Sequence, residues 1–304
     1  MTLEQITGLI KTTFEDINKA FYKGDLSIQY IEDKLRVYAE ASPMFGVPIV
    51  KYGEANFEYF FELHRYLATR LDIVKLTVDR PEIPKLKISG DLLSIAFAKQ
   101  ASQDTGEIAN EKQLVQLNQA AHLFSFFHEL GHVNQESPED RGDAEANHFA
   151  EYNADYYAIS QILKYHHRLK ASKPVDYYKN AVEFHGELNM IRSWLASALM
   201  TVYLEFLSDE NPKFSVSHPE SKKRFCYLMH IILDQLAANF SDLFVSFKVE
   251  DFVADIFVTM DFLEAESLDK PKLSFPDLLD FCTDFHSEMD QAMQEHKKFT
   301  TFNE

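Results

Sequence analysis

Residues 111–135 read "EKQLVQLNQAAHLFSFFHELGHVNQ". The stretch holds no proline, and Ala120, Leu123, Phe127 and Leu130 recur at steps of three and four, the period of a helix with an apolar side. Near its end stand His128, Glu129 and His132. Residues four apart lie about 40° apart around a helix, so both histidines project from one face. That spacing lets two imidazole nitrogens reach one ion at the ~2.0–2.1 Å of a zinc–nitrogen bond. Glu129 lies about 100° round from His128, beside such an ion but aimed at a bound water, which makes it the candidate general base. Ala121 and Ser125, on the histidine side, leave that face uncluttered. A bland reading competes, because histidines also occur on half-buried helices with no chemical task. A third ligand decides between the two.

Catalytic zinc takes three protein ligands and keeps a fourth position for water. The next strongly helical segment, 143–163, reads "DAEANHFAEYNADYYAISQIL", with an apolar stripe of Phe149, Tyr152, Tyr156, Ile159 and Leu163. Glu151 and Asp155 stand one turn apart on an adjoining face. Glu151 from this second helix can complete a tetrahedral site. Asp155 can accept a hydrogen bond from the far nitrogen of a ligand histidine, fixing its tautomer and orientation.

His-Glu-x-x-His, eighteen residues, then Glu-x-x-x-Asp resembles the pattern of the gluzincin metallopeptidases. The string "AEYNADYYA" (150–158) is similar to the Glu-x-x-Ala-Asp-x-x-Ala helix of the HtpX and CaaX-prenyl-protease group. "SVSHPESKKRFCYL" (215–228) resembles that group's His-Pro-…-Arg segment, carried here by His218, Pro219 and Arg224. The resemblance spans about 115–228. It implies a zincin-like core, His218 as a donor to the oxyanion of the tetrahedral intermediate, and Arg224 as a support behind the ligands. Those relatives are membrane-embedded, whereas no spanning segment is expected here; the Lit-type phage-exclusion peptidases are similar in size and in being intracellular. Other assignments stay open. "DAEANHFA" also resembles a segment of ImmA/IrrE-type peptidases, which would move the third ligand to Asp143 or Glu145, and His148 is a further donor. His218 before Pro219 also suits a helix cap, and Arg224 a surface ion pair.

Outward from these segments, most of the chain reads at helical period: near 3–22, 54–74, 111–135, 143–169, 176–207, 219–239, 250–265 and 276–297. In 54–74, Phe57, Phe60, Phe61, Leu63 and Leu67 share one broad side. Two short strands are expected, "GVPIVKYG" (46–53) and "LLSIAFA" (92–98). By resemblance to gluzincins, the second would be the edge against which an extended substrate pairs. The fold class is mainly α (α+β), a zincin-like core with a small sheet. The 304 residues are expected to form one compact domain, divisible into a helical N-terminal part (1–90), a core (91–230) and C-terminal helices (231–304). His122, six positions before His128, falls off the metal face and is expected to pack.

Composition narrows the function classes. With 30 basic against 48 acidic residues, a net charge of −18 repels phosphate backbones and anionic lipid, so nucleic-acid partners are not expected. The longest uncharged apolar run, Ser193 to Leu204, is well short of the ~20 residues that cross a bilayer; no membrane insertion is expected. Cys226 and Cys282 are far apart, with no Cys-x-x-Cys pair, which fits a reducing, cytoplasmic setting. The sequence therefore points to a zinc peptidase acting on protein or peptide substrates, its oligomeric state left open. The alternative is a regulatory or interaction protein with a structural or vestigial zinc site. Glu129 speaks against that alternative, since a structural site has no use for a base.

Overall fold

A computed structural model describes residues 2–22, 24–32, 39–44, 47–62, 64–65, 111–134, 144–171 and 221–239, with isolated helical positions at 195, 198, 199, 202 and 294. Within these the architecture is mainly helical with one small sheet. Helix α1 spans Leu3–Tyr22. Its start is a reciprocal cap: Thr2 Oγ1 accepts from the Gln5 amide at 3.3 Å and Gln5 Oε1 from the Thr2 amide at 2.9 Å, satisfying two amides that no helical carbonyl can reach. Ile6, Ile10, Thr13, Phe14 and Ile17 recur at helical period and are buried. Asn18 then ties the helix to the sheet, its side chain bonding both the carbonyl and the amide of Leu26 at 2.7 and 3.1 Å. Between them Gly24 takes a φ of 86°, a left-handed turn that a side chain would resist.

Strands β1 (Ser27–Ile31), β2 (Ala39–Met44) and β3 (Val47–Gly53) form a sheet in the order β1-β3-β2. β3 is central, parallel to β1 and antiparallel to β2, so β2 is an edge. β3 coincides with the strand expected at 46–53. β1 and β2 were not expected, because "SIQYI" and "AEASPM" are too short and mixed to show alternation. The expected strand 92–98 lies outside the described residues. A helical stretch over 55–62 follows β3 directly, and it buries Phe57, Phe60 and Phe61 as its periodicity requires; Leu63 and Leu67 lie outside the described residues.

Helix α2 (Glu111–Asn134) contacts β2, β3, α1 and helix α3 (Ala144–Ala171), and α3 in turn packs on helix α4 (Ser221–Asn239). The expected stripe of α2 is fully buried, and so are Ala121, Phe124 and Phe126 on its other sides. With Asn118, Gln119 and His122 buried as well, the helix lies in the middle of the fold. Phe126 stacks on Phe14 of α1 at 4.1 Å between ring centroids. On α3, Tyr152, Ile159 and Leu163 are buried, while Phe149 and Tyr156 pack half-buried at the margin. Core residues of α1, β3, 55–62, α2, α3 and α4 belong to one continuous apolar cluster. The helices expected at 176–207, 250–265 and 276–297 lie almost wholly outside the described residues.

The α2–α3 contact is unusually close at one point. A Cβ on Gly131 would meet the Ala154 Cα at 2.7 Å and its carbonyl oxygen at 3.1 Å. The obstacle is backbone, which cannot swing aside. Gly131→Ala gains roughly 1 kcal/mol of helix propensity but must prise two helices apart, and overpacking of this kind costs about 1–3 kcal/mol. We expect a lower melting temperature and, because the parted helices carry the groups described next, weaker metal binding. A variant that melts higher with metal binding unaltered would show that the contact does not set the helix spacing.

Candidate metal centre

The last turns of α2 and the second turn of α3 bring three side chains together. His128 Nε2 and His132 Nε2 lie 3.2 Å apart. Glu151 Oε2 is 3.3 Å from the former and Glu151 Oε1 3.4 Å from the latter. Among the described residues this is the group of histidine, cysteine and carboxylate side chains able to hold a metal ion. Glu151 and His128 are buried, and His132 keeps partial access to solvent. His148, one turn before Glu151, is half-buried and not part of the group. Asp143 and the side chain of Glu145 lie outside the described residues.

Behind these groups sits a buried ionic cluster. Asp155 is fully buried. Its Oδ1 accepts from His128 Nδ1 at 2.8 Å and from Arg224 Nη2 at 2.8 Å, and its Oδ2 accepts from Arg224 Nε at 2.7 Å. Arg224 enters from the first turn of α4, and its Nη2 stands 3.3 Å from His128 Nδ1. It is 6% exposed, so the surface ion pair left open by the sequence is not what forms. A guanidinium and a carboxylate are buried together with paired hydrogen bonds, the arrangement that makes burial of charge tolerable. His218 lies outside the described residues.

The charges respond to one another. Burial raises the Asp155 pKa, but the Arg224 charge and hydrogen bonds outweigh it and hold the carboxyl below its ordinary range. Glu151 behaves likewise: burial opposes ionisation, while the hydrogen bond to His128 and the charges of both histidines depress its pKa. For His128, burial and Arg224 disfavour the cation, yet Asp155 and Glu151 prevail and push its pKa up to about 10. His132 goes the other way, to about 4, through burial and the charge on His128. Asp155 and Glu151 thus stabilise one positive charge on the His128 ring.

Glu129 faces a different neighbourhood. Burial, with Glu151's charge adding, pushes its carboxyl up to about 7, against the His128 charge and a hydrogen bond from the Ala41 backbone of β2. A carboxyl near neutrality can both take and return a proton. The amide of Ala41 was not foreseeable, since β2 left no periodic signal. Gly131 was visible as a glycine inside a helix, a residue there usually for close packing, but its partner was not. His122 is fully buried, as expected, with its Nδ1 2.6 Å from the hydroxyl of Tyr52 on β3.

Among the described residues no helix is long and apolar enough to cross a membrane. Comparison with curated proteins finds no match, and neither does comparison with solved structures. The family model of Peptidase U49 matches residues 56–235. That match takes in α2, α3 and most of α4, hence every group of the centre, and covers more than half of the chain. The chain belongs to the Peptidase U49 family, and its activity class is accordingly that of a peptidase acting on protein or peptide substrates.

Proposed function

We propose that the protein is a zinc-dependent peptidase of the gluzincin type, with His128, His132 and Glu151 as ligands and Glu129 as general base. One observation carries the reading. A tetrahedron with bonds of about 2.0–2.1 Å to its centre has edges of about 3.3–3.4 Å. His128 Nε2 and His132 Nε2 stand 3.2 Å apart, close to one such edge, and each faces an oxygen of Glu151, Oε2 at 3.3 Å and Oε1 at 3.4 Å, so one ion between them is within reach of all three side chains. Two imidazoles and one carboxylate are also a donor set that zinc accepts. Bound there, zinc would supply Lewis acidity toward a carbonyl oxygen and lower the pKa of a water to ~7.

The chain's own residues then have distinct tasks. Asp155, accepting from Nδ1, leaves Nε2 of His128 as the ligating nitrogen, and Arg224 keeps Asp155 in place. Glu129 takes the proton of the attacking water and hands it to the leaving amine. The Ala41 amide holds that carboxylate beside β2, whose outer edge, among the described residues, is not covered by another strand. An extended substrate pairing with β2 would lay its backbone next to Glu129. His218 is the proposed oxyanion donor on the resemblance of its His-Pro segment. A cytoplasmic setting and a single domain over 1–304 remain part of the same reading.

The test is metal content. Purified protein should hold about one zinc per chain, because a site drawn from two packed helices is bound together with the fold. His132→Ala should release the zinc and melt lower. Glu151→Ala should weaken zinc binding far more than Glu145→Ala or Asp143→Ala. Were Glu145→Ala the damaging change, the ligand register on α3 would be wrong.

A further inference from the structure

The pairing of β2 with β3 fixes which backbone groups face the outer edge of the sheet. Pro43 stands opposite Pro48, and proline has no N–H to exchange. In an antiparallel ladder, opposite residues alternate between pairs that exchange both hydrogen bonds and pairs that exchange none. Two prolines can face each other only in a pair of the second kind. Counting back along the register, Ala41 opposite Val50 and Ala39 opposite Tyr52 are of that kind too. Their N–H and C=O groups therefore point away from β3, while Glu40 and Ser42 turn theirs toward it. Along this edge, which no other strand covers among the described residues, β2 offers an incoming strand the amides of Ala39 and Ala41.

The second of these amides already has an acceptor. Ala41 N–H donates to the Glu129 carboxylate, which reaches it from α2, the helix packed against β2. The contact agrees with the parity set by the prolines, since an amide committed to β3 would not be free to donate to it. A strand laid along β2 asks for the same hydrogen, because pairing takes the N–H and the C=O of each outward residue. An N–H bonds best to one acceptor lying close to its own axis. Glu129 and a carbonyl of the added strand cannot both hold that position.

We propose that Glu129 and the substrate backbone compete for the Ala41 amide. In the free protein the amide keeps the carboxylate against β2. A strand seated on Ala39 and Ala41 accepts the Ala41 N–H with its own carbonyl and releases Glu129 toward the centre. The base is thus set free by an extended backbone, and a substrate too short to lay a strand along β2 leaves it held. The inference rests on the peptidase reading and adds to it a selection for extended polypeptide, made by the backbone and not by side chains.

Zinc-loaded full-length protein assayed on two probes tests it: unfolded casein, and an N-acylated dipeptide amide too short to pair along the edge. Ala41→Pro deletes the N–H at a position where an edge strand tolerates proline. A hydrogen bond to an ionised group shifts an equilibrium by about 10–100-fold, so kcat on the dipeptide should rise by about tenfold or more. Ala39→Pro removes the other outward amide and leaves Glu129 on Ala41; it should bring no such gain and should raise the KM for casein. An unchanged or lower dipeptide turnover in Ala41→Pro would mean that the amide serves the base and does not withhold it, and would overturn the proposal. A second measurement stands whether or not that variant folds. In 15N-alanine-labelled wild type the Ala41 amide should exchange slowly with solvent, and Glu129→Ala should speed it; equal rates in the two proteins would also overturn the proposal. Zinc-loaded wild type that cleaves neither probe would count against the peptidase reading itself, and the competition would fall with it.

Discussion

Glu129→Gln is expected to leave a folded, zinc-loaded protein that no longer cleaves its substrate. The glutamine has the size and hydrogen-bonding outline of the glutamate but cannot take a proton. A positioned acid–base group contributes ~10²–10⁴-fold to rate, and the loss in kcat should fall in that range. His128, His132 and Glu151 keep their mutual contacts without Glu129, so zinc content and melting temperature should match the wild type. The binding surface is untouched, and the variant should retain substrate long enough for capture by crosslinking. Comparing the cellular protein fragments made by wild type and variant would identify the substrate at the same time. A cleavage rate unchanged with zinc in place would remove Glu129 from the chemistry, and the proposed mechanism with it.

The second large effect concerns stability. Asp155→Ala removes the two carboxylate oxygens to which a guanidinium only 6% exposed donates. Breaking one partner from a buried pair costs about 3–5 kcal/mol, because the other charge stays buried without that counter-ion. Loss of the His128 Nδ1 acceptor should also weaken zinc binding by roughly 10–100-fold. Asp155→Leu combined with Arg224→Leu separates these losses. Removing both charges should restore most of the unfolding free energy in denaturant, while zinc affinity stays low. Should Asp155→Ala unfold at the wild-type midpoint with and without chelator, the cluster has no structural weight.

How much of this was legible in the sequence depended on which physical signal each part leaves. Helices α1, α2, α3 and α4 were readable to within about two residues, because a buried face of Ile6, Ile10, Phe14 and Ile17, or of Leu123, Phe127 and Leu130, repeats over several turns. The approach of His128, His132, Glu151 and Asp155 was readable from intervals of four on two helices. That Arg224 turns inward was not, since an arginine near a helix start looks the same whether it faces water or a buried carboxylate. Strands β1 and β2 escaped notice because their order is set by pairing with β3 over long separations, such as Ile28 with Val50, and a five- or six-residue strand carries too few positions to alternate convincingly. The bond from Ala41 to Glu129 was out of reach for the same reason, with a further one added: a backbone amide has no sequence signature at all.

The contact of Gly131 with Ala154 also bears on which ion the protein can select. The proposed ligands ride on two helices that meet backbone to backbone, so their span cannot widen without separating the core. Calcium asks for six to eight oxygens at about 2.3–2.6 Å, and magnesium for a near-octahedral shell of oxygens. A narrow cleft with two nitrogens and one carboxylate answers neither demand. Against nickel, cobalt or copper the same rigidity offers less discrimination, as affinity within that series follows the metal more than the cage. Loading with the right ion would then be decided by what the surroundings supply and not by the pocket.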